Sequence, residues 1–334
     1  MGVGRTDSRR EYIARSAAGG RVLTYWLAAD RWAKTPVWSP NVGLARTLVM
    51  LSGLGTLASS STSTLLRPAA GLSYPHCSGP AELASWCLVG PEHFELIRWV
   101  SCAILLVAAI GIYPRFTAIP AWWVLFSTQA AATTVDGGDQ IAANLALLLI
   151  PVSLTDGRRW HWTANSALSG PTRTLVAKTA LFVIAIQVSY IYLNAVLSKL
   201  SVPEWIDGTA VYYWMHDPMF GPSEPLRETI AAMVLNPWLL AAATWGTLVI
   251  EFALGISLLL PRALRWPFLV AGVGLHISIA TVMGLWSFAF TMVGGLILLL
   301  IPGGNVVAQV RRRVRAGLAR IPVRRRESIG DRRA

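Results

Sequence analysis

Apolar runs long enough to cross a bilayer recur along the chain near residues 42–59, 96–113, 117–135, 139–155, 174–197, 238–260, 266–283 and 285–302. A helical crossing needs roughly 17–25 predominantly apolar residues, because each residue rises only about 1.5 Å through the hydrocarbon layer. Backbone groups in that layer find no water, so helices must satisfy them internally. The expectation is an all-α polytopic membrane protein with about eight transmembrane helices in one bundle. Composition agrees: 54% hydrophobic and 14% charged residues, with a mean hydropathy of +0.51, lie outside the soluble range.

Charge supplies the orientation. The net charge is +12, but seven Lys/Arg precede residue 41 and ten follow residue 304, flanking the spans rather than patterning a folded surface. Nucleic acid is therefore not the expected partner; an anionic inner leaflet is. Arg115, Arg158, Arg159, Arg173, Arg262 and Arg265 fall in connections on the side of the two basic tails, whereas the other connections hold little beyond Arg67, Lys199 and Arg227. The positive-inside rule then places both termini in the cytoplasm, with two long outer loops at about 60–95 and 198–237. Pro36 and Pro40 break the basic first forty residues before any long apolar run, so the first span is expected to act as an uncleaved signal. Residues 1–40 form a basic cytoplasmic segment in which 22–33 fit an amphipathic helix, lying on the membrane or docked on the protein. The transmembrane domain occupies 41–302, and 303–334 form a basic tail with a second amphipathic helix.

The outer loops carry two kinds of signal. Cys77 and Cys87, ten residues apart in the first, fit a disulfide or two free thiols, while Cys102 lies within the second span. His76 and His93 share that loop without a compact zinc spacing, so no metal is expected. The second loop and its edge hold Trp205, Tyr212, Tyr213, Trp214, His216, Phe220 and Trp238, with six Pro and Gly residues from Pro203 to Pro225. Those aromatics suit an interfacial belt or a folded cap that binds substrate.

Ionisable and amide groups inside spans are functional candidates by default. They are Arg46, Asp139, Gln140, Asn144, Gln187, Asn194, Glu251 and His276. Asp139 and Lys199 are both expected at the outer interface, as a structural ion pair or as a proton-handling pair in which desolvation frees the lysine to act as base. Thr244, Thr247 and Glu251 share a face expected to look into the bundle, with His276 on the next span as an interhelical hydrogen-bonding residue or a catalyst. Gln187, Tyr190 and Asn194 share another face. Lys199 projects about 120° from Gln187 and stacks with Val188, Tyr192 and Ala195, so it joins that polar face only if the helix ends or kinks near Ser198. No GxSxG or HExxH signature supports a hydrolase.

The run YIYLNAVLSKLSVPEWIDGTAVYY, with Tyr190, Lys199, Leu200, Trp205 and Gly208 at characteristic spacing, joins GGDQIAANLALLLIP and NVGLARTLVM in a resemblance. The chain resembles the sporulation-delaying protein B family, within the horizontally transferred transmembrane (HTTM) domain superfamily related to vitamin K-dependent gamma-carboxylases. The resemblance implies maturation or production of a secreted peptide toxin from a precursor, with a small membrane-associated partner of the SdpA type. It also implies Lys199 as the base, since the carboxylases use a lysine there to deprotonate a hydroquinone, and it makes a lipid quinone the one cofactor suggested. The large lumenal carboxylase domain is missing, and Asp139 or Gln140 stands where the carboxylases place an assisting histidine. Three other readings remain: a non-enzymatic scaffold or chaperone presenting the precursor, a quinone-dependent carboxylase-like enzyme, and a transporter. Candidate catalytic residues are Lys199, Asp139, Gln140, His276 and Glu251; candidate substrate contacts are Trp205, Tyr212, Tyr213 and Trp214.

Overall fold

The last and shortest of the long helices is the one around which the others pack. The computed structural model describes residues 37–304 and Ala308, apart from 69–70, 72–73, 134–135, 164–169 and 262–263. Its long helices are α1 (Pro40–Ser59), α2 (Phe94–Ile110), α3 (Pro114–Ala131), α4 (Gly137–Leu154), α5 (Pro171–Leu200), α6 (Pro237–Gly255), α7 (Arg265–Met283) and α8 (Trp286–Leu300). The described residues form helices and no β-strand, and six helical stretches are long and apolar enough to cross a membrane. The protein is an all-α polytopic membrane protein. The amphipathic helices expected at 22–33 and in the basic tail lie outside the described residues.

Local chemistry sets the helix boundaries. Proline opens α1, α3, α5 and α6, where its missing N–H has no helical partner to lose. The run expected to reach residue 113 stops at Ile110 because Gly111 turns into the left-handed region at φ 91°. Asp136 opens α4 by accepting from the Asp139 N–H while the Asp139 carboxylate reaches back to the Asp136 N–H, a capping box.

Helix α8 is buried almost continuously from Ala289 to Leu300. A helix apolar all round belongs in the middle of a bundle, and α8 contacts α1, α4, α5 and α7. Two adjacent glycines make this possible. A Cβ on Gly294 would lie 3.0 Å from the Ala45 carbonyl of α1, and one on Gly295 would lie 3.3 Å from Val188 of α5 and 3.6 Å from Leu145 of α4. Small residues let helix backbones approach closely where lipid supplies no hydrophobic drive between helices. On the same helix the Thr291 and Ser52 hydroxyls pair across the buried interface at 2.7 Å.

The connections 60–93 and 201–236 cover one end of the bundle, here the capped end. The first contains short helical turns tied down by a Cys77–Cys87 disulfide, by Ser85 N–H donating to Ser127 Oγ at 2.9 Å, and by His76 N–H donating to the Ala131 carbonyl at 3.0 Å. Arg98 at the start of α2 donates to the carbonyls of Leu57 and Ser60 at the end of α1.

The opposite end is closed by a polar knot. Arg158 pairs with Asp156 at 2.8 Å and donates to the His161 carbonyl, while Arg46 donates to the Ala108 carbonyl and to Thr117. The His161 ring is buried against Gly43 and Gly111, neither of which leaves room for a Cβ, and its Nε2 lies 3.3 Å from Thr47 Oγ1. Burial first, then the charges of Arg46 and Arg158, push its pKa down to about 3. The unfolded chain therefore takes up this proton first. Its contribution to stability is fully present above about pH 6.5 and is lost as pH falls from there toward 3, by up to about 1.4 kcal/mol per pH unit. The thermal midpoint of the detergent-solubilised protein should fall between pH 6.5 and 4.5, and less steeply in His161→Asn. Parallel slopes for the two proteins would contradict this account of the knot.

Candidate functional site

Helix α5 runs unbroken for 30 residues to Leu200, and Pro203 opens the next short helix, Pro203–Ile206. Lys199 therefore keeps its helical register. It lies over Tyr192, seven residues earlier on the same face, and does not join Gln187, Tyr190 and Asn194. On the face of Gln187, Tyr190 and Asn194, Tyr190 and Asn194 are exposed; on the other, Val188 and Tyr192 are buried and Lys199 is half-buried.

Lys199 meets Glu251 of α6, its Nζ donating to both carboxylate oxygens at 2.8 and 2.7 Å. The meeting follows from a close helix crossing. Ser189 Oγ donates to the carbonyl of Gly255, and the bare Cα of Gly255 accepts the Leu193 side chain, which brings α5 against α6 one turn beyond Glu251. The Glu251 side chain is 8% exposed and that of Lys199 24%, so the pair stands at the mouth of a buried region. Above it, the Trp205 ring centroid lies 5.3 Å from the ammonium, a cation–π contact. The helix carrying Trp205 is fastened to α6 by Trp245 Nε1 donating to the Ile206 carbonyl at 3.1 Å, with Gly208 at φ 86° allowing the chain to pass the Trp245 ring.

Deeper along the same face, the Tyr192 hydroxyl and His276 Nε2 of α7 lie 2.8 Å apart, both side chains fully buried. Phe288 of α8 meets the histidine ring edge-on at 5.5 Å. His276 Nδ1 has no hydrogen-bond partner among the described residues. The two pairs thus share one face of α5, Tyr192–His276 two turns deeper than Lys199–Glu251, as a polar column leading inward from the capped end.

Of the residues singled out in the sequence, Lys199, Glu251, His276 and Trp205 come together. Asp139 and Gln140 do not join them. The expected Asp139–Lys199 pair is not formed: Lys199 pairs with Glu251, and the buried Asp139 carboxylate closes its own capping box and accepts from Thr56 Oγ1 of α1 at 2.9 Å. Gln140 is exposed on the bundle surface. Tyr212, Tyr213 and Trp214 lie on the short helix Ala210–His216, each at least 39% exposed, with the Tyr212 and His216 rings 4.2 Å apart. They form the outside of the cap rather than the wall of the column. Among the described residues no group of His, Cys, Asp and Glu could hold a metal ion. Tyr192, which the sequence places on the Lys199 face, is not among the candidate site residues read from the sequence.

The chain is 38% identical over 279 residues to the uncharacterized protein YitO of Bacillus subtilis (strain 168), covering 81% of this chain and 88% of that one. It is 34% identical over 271 residues to the sporulation-delaying protein SdpB of the same organism, covering 79% and 82%. The chain belongs to the SdpB family. No family model and no solved structure matches it. Within this SdpB-family bundle the Lys199–Glu251 pair is costly to break, because removing Lys199 strands the Glu251 charge in a buried place, at about 3–5 kcal/mol. Lys199→Met should lower the thermal midpoint in detergent clearly, and Lys199→Met/Glu251→Gln should recover most of the loss. A double variant no more stable than the single one would show that the two charges are not coupled.

Proposed function

We propose that this SdpB-family protein works in the production of a secreted peptide toxin of the sporulation-delaying kind, at the outer face of a bacterial cell membrane, with Lys199 as the base. The observation that carries the reading is the Lys199–Glu251–Tyr192–His276 column beneath Trp205, in a chain related to a protein named for sporulation delay. Two features support placing the capped end outside. Basic residues crowd the flanks 1–40 and 303–334 at the other end, and the Cys77–Cys87 bridge suits an oxidising compartment.

The chemistry follows from the pair. When a peptide segment covers the mouth and excludes water, the charged pair loses solvation, and a proton can pass from Lys199 Nζ to a Glu251 oxygen to leave a neutral amine and a neutral acid. That amine accepts a proton from the substrate, and Glu251 returns its own to the group that leaves or to solvent. Trp205 restricts the amine to one direction, and the Tyr192–His276 hydrogen bond fixes the floor. Kinship with the carboxylase transmembrane domain belongs to the same proposal: Trp205, Phe288 and His276 Nδ1 are the groups that would meet a quinol ring and hydroxyl, and such a lipid would supply redox chemistry when bound. A scaffold role finds its support in the exposed Tyr212, Tyr213 and Trp214, a surface suited to presenting a precursor to a small SdpA-like partner.

Secreted peptide should be weighed and quantified from cells carrying Lys199→Met/Glu251→Gln or Tyr192→Phe, at equal membrane levels of protein. The double variant should yield roughly a hundredfold less mature peptide or more, the usual worth of a positioned base. Normal yield and mass would refute the enzyme reading; loss confined to Tyr213→Ala/Trp214→Ala would establish the scaffold one.

A further inference from the structure

The polar face of α5 that takes no part in the column has a counterpart on α4. Gln140, Asn144, Tyr190 and Asn194 are exposed and Gln187 is half-exposed, on helices that are neighbours in the bundle. None of the five side chains has a hydrogen-bond partner among the described residues. They stand in an apolar belt with Leu147, Phe182, Ile186 and Leu197, all exposed. Unpaired amides in such a belt are costly, and in membranes they mark helix–helix contacts.

The two lips of this surface match in depth. A Cβ on Gly295 would meet the side chains of both Leu145 of α4 and Val188 of α5, which places those two residues at about the same depth. The helices are antiparallel, so at roughly 1.5 Å rise per residue Asn144 lies within about 2 Å of the level of Tyr190, and Gln140 within about 2 Å of that of Asn194. Ser189 and Leu193 of α5 face Gly255 of α6. At 100° per residue this turns Phe182 and Ile186 toward α6 and Gln187 and Asn194 toward α4. The amides therefore line the groove between α4 and α5.

We propose that this groove is the interface with a second copy of the chain. A two-fold axis along the membrane normal preserves depth, so it brings the α4 lip of one copy against the α5 lip of the other, Gln140 to the level of Asn194 and Asn144 to that of Tyr190. Each amide carries both donors and an acceptor, so a neutral amide ladder is complementary to itself, as an isologous interface requires. A charged partner has nothing to pair with here.

The test uses the full chain in its native membrane. Tyr190→Cys co-expressed with Asn144→Cys, with the chain's own Cys77 and Cys87 bridged and Cys102 buried, should give an oxidative cross-link of twice the chain mass. Ile119→Cys, exposed on α3, should give none. In lipid nanodiscs, Gln140→Leu/Asn144→Leu/Asn194→Leu should shift the particle from two copies to one at an unchanged thermal midpoint. A particle of one copy in the unsubstituted protein, or a Tyr190→Cys adduct of any mass other than twice the chain's, overturns the proposal, the latter assigning the groove to a different membrane protein.

Discussion

The bundle depends on the close approach of backbones at Gly294 and Gly295. With no side chain on either side of α8 there, α1 closes in from one direction and α4 and α5 from the other. That approach sets the levels of the remaining helices. Near the start of the same helix, Phe288 lies with its backbone against Gly138 of α4 and its ring against His276 of α7. The depth of the Tyr192–His276 pair is thereby tied to the capped end of α4, and Lys199, two turns further along α5, is brought to the mouth.

Buried polar groups in this protein fall into two kinds. Asp139, Arg46 and the Asp156–Arg158 pair are spent on helix ends and carbonyls of neighbouring segments, which satisfies groups that are expensive to leave unpaired in a low dielectric. The column from Lys199 to His276 retains capacity. Its amine is partly exposed, and one ring nitrogen is unclaimed among the described residues.

The fold was legible because its signals are local. Spanning runs, the prolines that open α1, α3, α5 and α6, and the glycine after α2 are read directly from neighbouring residues. The site was half legible. Lys199, Glu251, His276 and Trp205 stood out as unusual residues in apolar surroundings, but which carboxylate faces the lysine depends on how α5 and α6 are rotated, across 52 residues of sequence. Periodicity shows that Gln187, Tyr190 and Asn194 share a face; it does not show whether that face looks inward or outward. Asp139 misled for a different reason. The VDGGDQ segment is a helix start, and its second aspartate is consumed by the turn that its first one opens.

The proposed function requires that an exported peptide contact the cap above Lys199. A photo-reactive side chain at Tyr213, exposed on the cap, should capture the peptide precursor in intact cells, while the same group at Phe116, exposed at the opposite end, should not. Capture at both positions or at neither would contradict the placement of the working site at the capped end.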